Sequence, residues 1–185
     1  MQALIEAKLP AAIRVVVSNV PAAPGLSRAR AAGIETLTLP HGQFAGRDEF
    51  DRALAAELGS RDITLVCLAG FMRRLGPSFC AAFPNAILNI HPALLPAFPG
   101  LEAQRQAIEH GVKVSGATVH LVTPELDAGP IVAQAAVPVR DDDTPESLAD
   151  RILLEEHRLY PDAVRRMLTR HWRVEGRRVV FGPRA

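Results

Sequence analysis

Asn89-Ile90-His91-Pro92 is the stretch of this chain best suited to chemistry. It lies at the end of an apolar run read as a strand, and the carboxyl end of a strand in an open α/β sheet is where ligands commonly bind. A period of two puts Asn89 and His91 on one side while extended geometry lasts. Pro92 restricts His91 to extended backbone values. An amide donates to a developing oxyanion, and imidazole exchanges protons near neutral pH. A single His beside Pro is more often structural, so its company decides. Asp127, in the turn Leu126-Asp127-Ala128-Gly129-Pro130, either caps that turn or approaches His91, where it would orient the imidazole and stabilise its charged form. In the second arrangement Asn89, His91 and Asp127 promote transfer of a carbonyl group to a bound amine without a protein nucleophile. No serine elbow or Cys-His pairing makes a stronger covalent alternative.

Other polar residues stand in suggestive places. In the alternating run 117–122, Thr118, His120 and Val122 share one face and Ala117, Val119 and Leu121 the other. His120 either makes a buried hydrogen bond or supports Asp127. His91, His120 and Asp127 lack the short paired spacing of a zinc site, so no metal is expected. Glu156 falls on the helical stripe Leu148, Ile152, Glu156, Leu159; it either pairs with an arginine or receives the amine or hydroxyls of a substrate. Arg47, Arg73 and Arg74 are candidate anion binders, although such arginines usually face solvent.

The elements that must hold these residues alternate between strand-like and helical patterns. Strands are expected at Ile13 to Val17, in IETLTL, at Ile63 to Leu68, Ala86 to Ile90, Ala117 to Val122 and Ile131 to Val137. Helices are expected at Leu26 to Ala32, Asp48 to Leu58, in PSFCAAF, at Leu101 to His110 and from about Glu146 to Arg170, with Pro161 breaking or kinking the last. MQALIEA reads as helix, and HWRVEGRRVVFGPRA as a hairpin turning near Glu175 and Gly176. The pattern describes an α/β sheet covered on both faces. With 185 residues the chain has the size of one domain. Its 21 basic and 20 acidic side chains leave a formal charge of +1, which gives no footprint for nucleic acid or a membrane surface. Cys67 and Cys80 show no CxxC spacing. No apolar run reaches membrane-spanning length and no signal region opens the chain, so a cytoplasmic protein is expected.

NIHPALLPAFPG, preceded by LAGFMRRL and followed by SGATVHLVTPELDAGPIV, resembles the folate-dependent phosphoribosylglycinamide formyltransferases of purine synthesis. VSN at 17–19, GLSRARAAGI at 25–34 and EEHRLYP at 155–161 extend the resemblance over essentially the whole chain. It implies a single three-layer α/β domain with a central, mainly parallel sheet and a C-terminal hairpin. Residues 1–85 would form the substrate-side half and 86–185 the catalytic and folate-binding half. The implied reaction moves a formyl group from 10-formyltetrahydrofolate to the amine of phosphoribosylglycinamide, without metal, by a monomer or homodimer. By the same resemblance Asn89 polarises the formyl carbonyl, His91 assists proton movement, and Asp127 is the acid beside it, with Thr118 and His120 supporting. Met72, Arg73, Arg74, Leu75, Phe79, Ile87, Val122 and Asp127 match folate-side positions, and Arg47, Met72 and Glu156 substrate-side ones. Family members begin with a strand and a Gly- and Ser-containing phosphate loop, and here Met1 stands near the start of the helix that follows them. The resemblance therefore implies a chain without that strand and loop, and leaves a folate-binding remnant or a formylfolate hydrolase as alternatives. HPALLPAFPG is less like the hydrolases.

Overall fold

A computed structural model describes residues 1–182. Short runs rich in β-branched residues supply the strands, as such side chains suit a pleated surface. After helix α1 (Gln2–Glu6), strands β1 (Val15–Ser18) and β2 (Glu35–Thr38) pair in parallel around helix α2 (Pro24–Ala31). Helix α3 (Arg47–Gly59) then leads to β3 (Val66–Leu68), α4 (Pro77–Ala82) and β4 (Ile87–His91). Helix α5 (Ala103–Glu109), β5 (Val114–Leu121), β6 (Ile131–Pro138) and α6 (Pro145–Thr169) follow. The described residues end in a hairpin of β7 (Trp172–Glu175) and β8 (Arg178–Phe181), with Gly176 in the left-handed region at its turn.

The six later strands form one sheet in the order β3-β4-β5-β6-β8-β7, while β1 and β2 form a separate pair. Pairing is parallel in β1/β2, β3/β4 and β6/β8, and β5 runs antiparallel to both of its neighbours. The α/β class and the terminal hairpin are those expected. β1 and β3 each pair on one side only, and an apolar slot of about 620 Å³ separates them, lined by Val15, Val17, Val66, Leu68, Phe50 and Leu54 among others.

Two apolar clusters hold the site's strands from opposite faces. Leu88, Val119 and Leu121 pack with Tyr160, Ala163, Val164 and Met167 of α6. Ile87 packs instead with Phe50, Leu54 and Leu58 of α3 and Phe79 of α4. Helix α6 starts at a capping box in which Thr144 and Ser147 bond each other's backbone N–H, with Pro145 at the first helical position. Of the break or kink that the sequence pattern anticipates at Pro161, the break does not occur: α6 runs continuously from Pro145 to Thr169. Pro161 costs one backbone donor, and the buried residues on either side of it, Tyr160 and Ala163 with Val164, keep both halves of the helix on the same core.

Candidate active site

Strand register builds the site. β4 continues to His91, one residue beyond its apolar pattern, and pairs with β5 so that Asn89 lies opposite His120 and His91 opposite Thr118. Directly opposed residues share a face, and so do residues two apart on one strand. These four polar side chains therefore form one patch. Their neighbours Leu88, Val119 and Leu121 point to the other face, into the core against α6.

Asp127 reaches the patch from the loop after β5. Its φ of 48° is in the left-handed region, which Asp adopts more readily than most residues. Gly129 allows the loop to fold back, because a Cβ there would stand 1.8 Å from the Leu121 carbonyl oxygen. Asp127 Oδ2 accepts a 2.8 Å hydrogen bond from the Gly100 N–H and lies 3.6 Å from His91 Nδ1. Its Oδ1 lies 3.7 Å from His120 Nε2. Of the two readings of Asp127 the structure favours the second: its carboxylate faces both imidazoles, and its hydrogen bond ties the Gly100 segment rather than its own turn.

The hydrogen bonds assign donors and acceptors. A carbonyl oxygen only accepts, so His91 Nε2 donates to Phe98 O at 2.8 Å and Nδ1 is the ring atom presented to Asp127. The same logic has His120 Nδ1 donating to Leu121 O at 3.0 Å. Burial pushes the His120 pKa below the usual histidine range, against the opposing pull of the Leu121 carbonyl and Asp127. Neutral His120 therefore presents a bare Nε2 as acceptor to Asn89 Nδ2, 3.2 Å away. One N–H of the Asn89 amide is engaged there, and the other has no hydrogen-bond partner among the described residues.

Thr118 holds the loop beyond His91. Its hydroxyl donates to Ala93 O at 2.6 Å and accepts from Leu95 N–H at 3.0 Å and from Gln134 Nε2 at 3.0 Å. Gln134 also donates to Leu95 O at 2.9 Å. Sequence reasoning missed Gln134, although it is the one polar residue in IVAQAAVP of β6 and pairs with Thr118 in register. It also missed Phe98 and Gly100, which contribute through their backbones alone.

The remaining candidates lie around this centre. Arg74 donates to Pro124 O at 3.2 Å, joining the segment after β3 to the loop that carries Asp127. Val122 N–H bonds Ile87 O at 2.8 Å at the edge of the patch. Arg73 lies over the Phe50 ring, 5.3 Å from its centroid, and Met72 is 76% exposed. Leu75, Phe79 and Ile87 are buried in the α3/α4 core. Arg47 is exposed at the start of α3, and no hydrogen bond or ion pair joins it to Asn89, His91 or Asp127 among the described residues. Glu156 is half-buried on α6, and burial raises its carboxyl pKa against the pull of the chain's amino group. Among the described residues no hydrogen bond or ion pair joins it to the three either. Burial pushes the Cys67 thiol up to about 11, which leaves it protonated near neutral pH. Among the described residues no group of three or more His, Cys, Asp or Glu side chains has metal-binding geometry, and no helix is long and apolar enough to cross a membrane.

Residues 1–164 match the family described as formyl transferase. The chain is 43% identical over 181 residues to the phosphoribosylglycinamide formyltransferase of Escherichia coli (strain K12), covering 96% of this chain and 82% of that one. It superposes with a TM-score of 0.95 on glycinamide ribonucleotide transformylase 1 from Symbiobacterium toebii, at 53% identity over 97% of this chain and 87% of that chain. A formyltetrahydrofolate deformylase from Pseudomonas syringae is more distant, with a TM-score of 0.86, 29% identity, and coverage of 94% of this chain and 57% of that one.

Proposed function

This chain belongs to the formyl transferase family, among its phosphoribosylglycinamide formyltransferases, and from that premise we propose that Asn89, His91 and Asp127 transfer the formyl group of 10-formyltetrahydrofolate to the amine of phosphoribosylglycinamide. The observation that carries the assignment is the Asn89 amide, turned by neutral His120 so that a free N–H stands beside the His91–Asp127 pair.

The amine attacks the formyl carbon, a C–N bond forms, and the carbonyl oxygen becomes an oxyanion. The Asn89 N–H donates to that oxygen, and preorganised donation of this kind is usually the largest catalytic term in acyl transfer. His91 Nε2 is occupied by the Phe98 carbonyl, so Nδ1 is the ring position that takes and returns a proton. Asp127 faces Nδ1 and stabilises the ring when it is charged. Collapse breaks the bond from the formyl carbon to N10, N10 receives a proton, and the amine nitrogen gives one up. Protons therefore balance with no external acid or base.

Met72 to Leu75, Val122 and Asp127 are assigned to the folate side, with Phe79 and Ile87 supporting that wall from the core. Arg47, Met72 and Glu156 are assigned to the acceptor, Glu156 suiting its ribose hydroxyls. A phosphorylated, membrane-impermeant acceptor fits a cytoplasmic setting. The test follows tetrahydrofolate and formylated product together. One product formed per folate released, only when the amine is present, is expected. Folate release without the amine would replace this reading by hydrolysis.

A further inference from the structure

Helix α4 begins at Gly76, a residue with no side chain to cap it, and its six residues supply no cap of their own. The cap comes from elsewhere. Asp51, on α3 with the exposed Asp48 and Glu49, turns inward and is 1% exposed. Its Oδ2 accepts a 2.6 Å hydrogen bond from the Gly76 N–H. A buried carboxylate is costly unless its charge is met, and the N-terminal dipole of a helix with a direct N–H bond meets it.

The contact fixes one end of residues 70–76, which leave the carboxyl end of β3 and pass the site. Within this segment Leu75 is buried against the α3 core, and Arg73 stacks over Phe50 with its Nε buried and unbonded. Arg74 then bonds Pro124 O on the loop that carries Asp127. α3 thus has a continuous route to the site wall, and at its root Asp51 is the buried charged group, with the exposed Asp48 and Arg47 side chains close by. Gly76 is matched to this role: a Cβ at that position would meet Asp51 Oδ2 at 2.9 Å.

We propose that Asp51 is a positioning residue for the folate-side wall, holding residues 70–76 by capping α4 from α3, so that its loss weakens the formyl donor more than the amine acceptor, to which that segment gives Met72 alone. The role of Asp51 in holding the segment stands on the geometry alone; its effect on the donor rests on the functional reading above.

Two readouts separate these parts. Limited trypsin digestion with mass-spectrometric assignment reports cleavage after Arg73 and Arg74 relative to cleavage after exposed Arg140. Asp51→Ala is expected to raise that ratio about tenfold, and Asp51→Asn, which keeps an acceptor oxygen in the same place, by no more than about twofold. Steady-state kinetics are expected to show a donor KM raised about tenfold in Asp51→Ala, an acceptor KM within about twofold of wild type, and rescue in Asp51→Asn. Gly76→Ala, which attacks the same contact from its other side, should raise the donor KM too, and the double variant should fall short of the product of the two single effects. An unchanged cleavage ratio, or acceleration at all sites alike, overturns the positioning role. A changed ratio with both KM values moving together overturns the donor-side role. Absence of turnover in the wild-type protein overturns the functional reading instead, and leaves the digestion to decide on Asp51.

Discussion

His120→Leu tests how the site aims its oxyanion donor. In the folded protein the Asn89 amide has one visible orienting partner, His120 Nε2 at 3.2 Å, and burial keeps that nitrogen unprotonated. Leucine has similar bulk and no acceptor. Without the bond, the amide can flip and place its oxygen where the N–H belongs. A neutral hydrogen bond contributes about 1 kcal/mol net, equivalent to roughly a fivefold loss of the productive orientation. Complete loss of the donor, as in Asn89→Ala, costs about 100-fold or more in turnover. His120→Leu should therefore lower kcat about fivefold, with little change in either KM, and adding it to Asn89→Ala should cost almost nothing further. Single-turnover measurement of the formyl-transfer step, with folding checked by circular dichroism, reads this directly. A loss as large as that of Asn89→Ala would place His120 itself on the reacting atoms. An unchanged rate would show that something else orients the amide.

Three further outcomes follow from the same geometry. His120 has a folded-state pKa below its unfolded value, so the unfolded chain binds more protons as pH falls from about 6.5 toward the lowered value; denaturation midpoints should drop across that window, and less so in His120→Leu. Thr118→Val keeps the volume but removes the bonds to Ala93, Leu95 and Gln134, and should cost about 1–3 kcal/mol in urea denaturation, most of it from buried groups left unpaired; a midpoint equal to wild type would contradict the anchoring role. Gly129→Ala should displace the Asp127 loop, because its Cβ would overlap the Leu121 carbonyl, and turnover should fall while the fold remains; wild-type turnover would refute that.

Much of the site was legible because its logic is local. The period-two spacing of Asn89 and His91, and of Thr118 and His120, is enough to give each pair a common face, and the structure keeps both. What local pattern cannot supply is the register between β4 and β5, which sets Asn89 against His120 and His91 against Thr118. It also cannot supply backbone groups as partners, so Phe98 and Gly100 carried no signal. Asp51 was hidden in a helix whose Asp48 and Glu49 do face solvent, since its use depends on Gly76, 25 residues later. Pro161 does not break α6: its local penalty is real, but the buried residues around it outweigh it. Phe79 and Ile87, carried over as folate-side positions by resemblance, are buried in the α3/α4 core, a burial that their apolar character alone suggests.

The most direct test of the central claim is the turnover of Asn89→Ala with 10-formyltetrahydrofolate and phosphoribosylglycinamide both saturating. The predicted result is a fall of about 100-fold in kcat with both KM values close to wild type, as expected when one oxyanion donor is removed from an otherwise intact site. Turnover near the wild-type rate would contradict the role of Asn89 and with it the proposed mechanism.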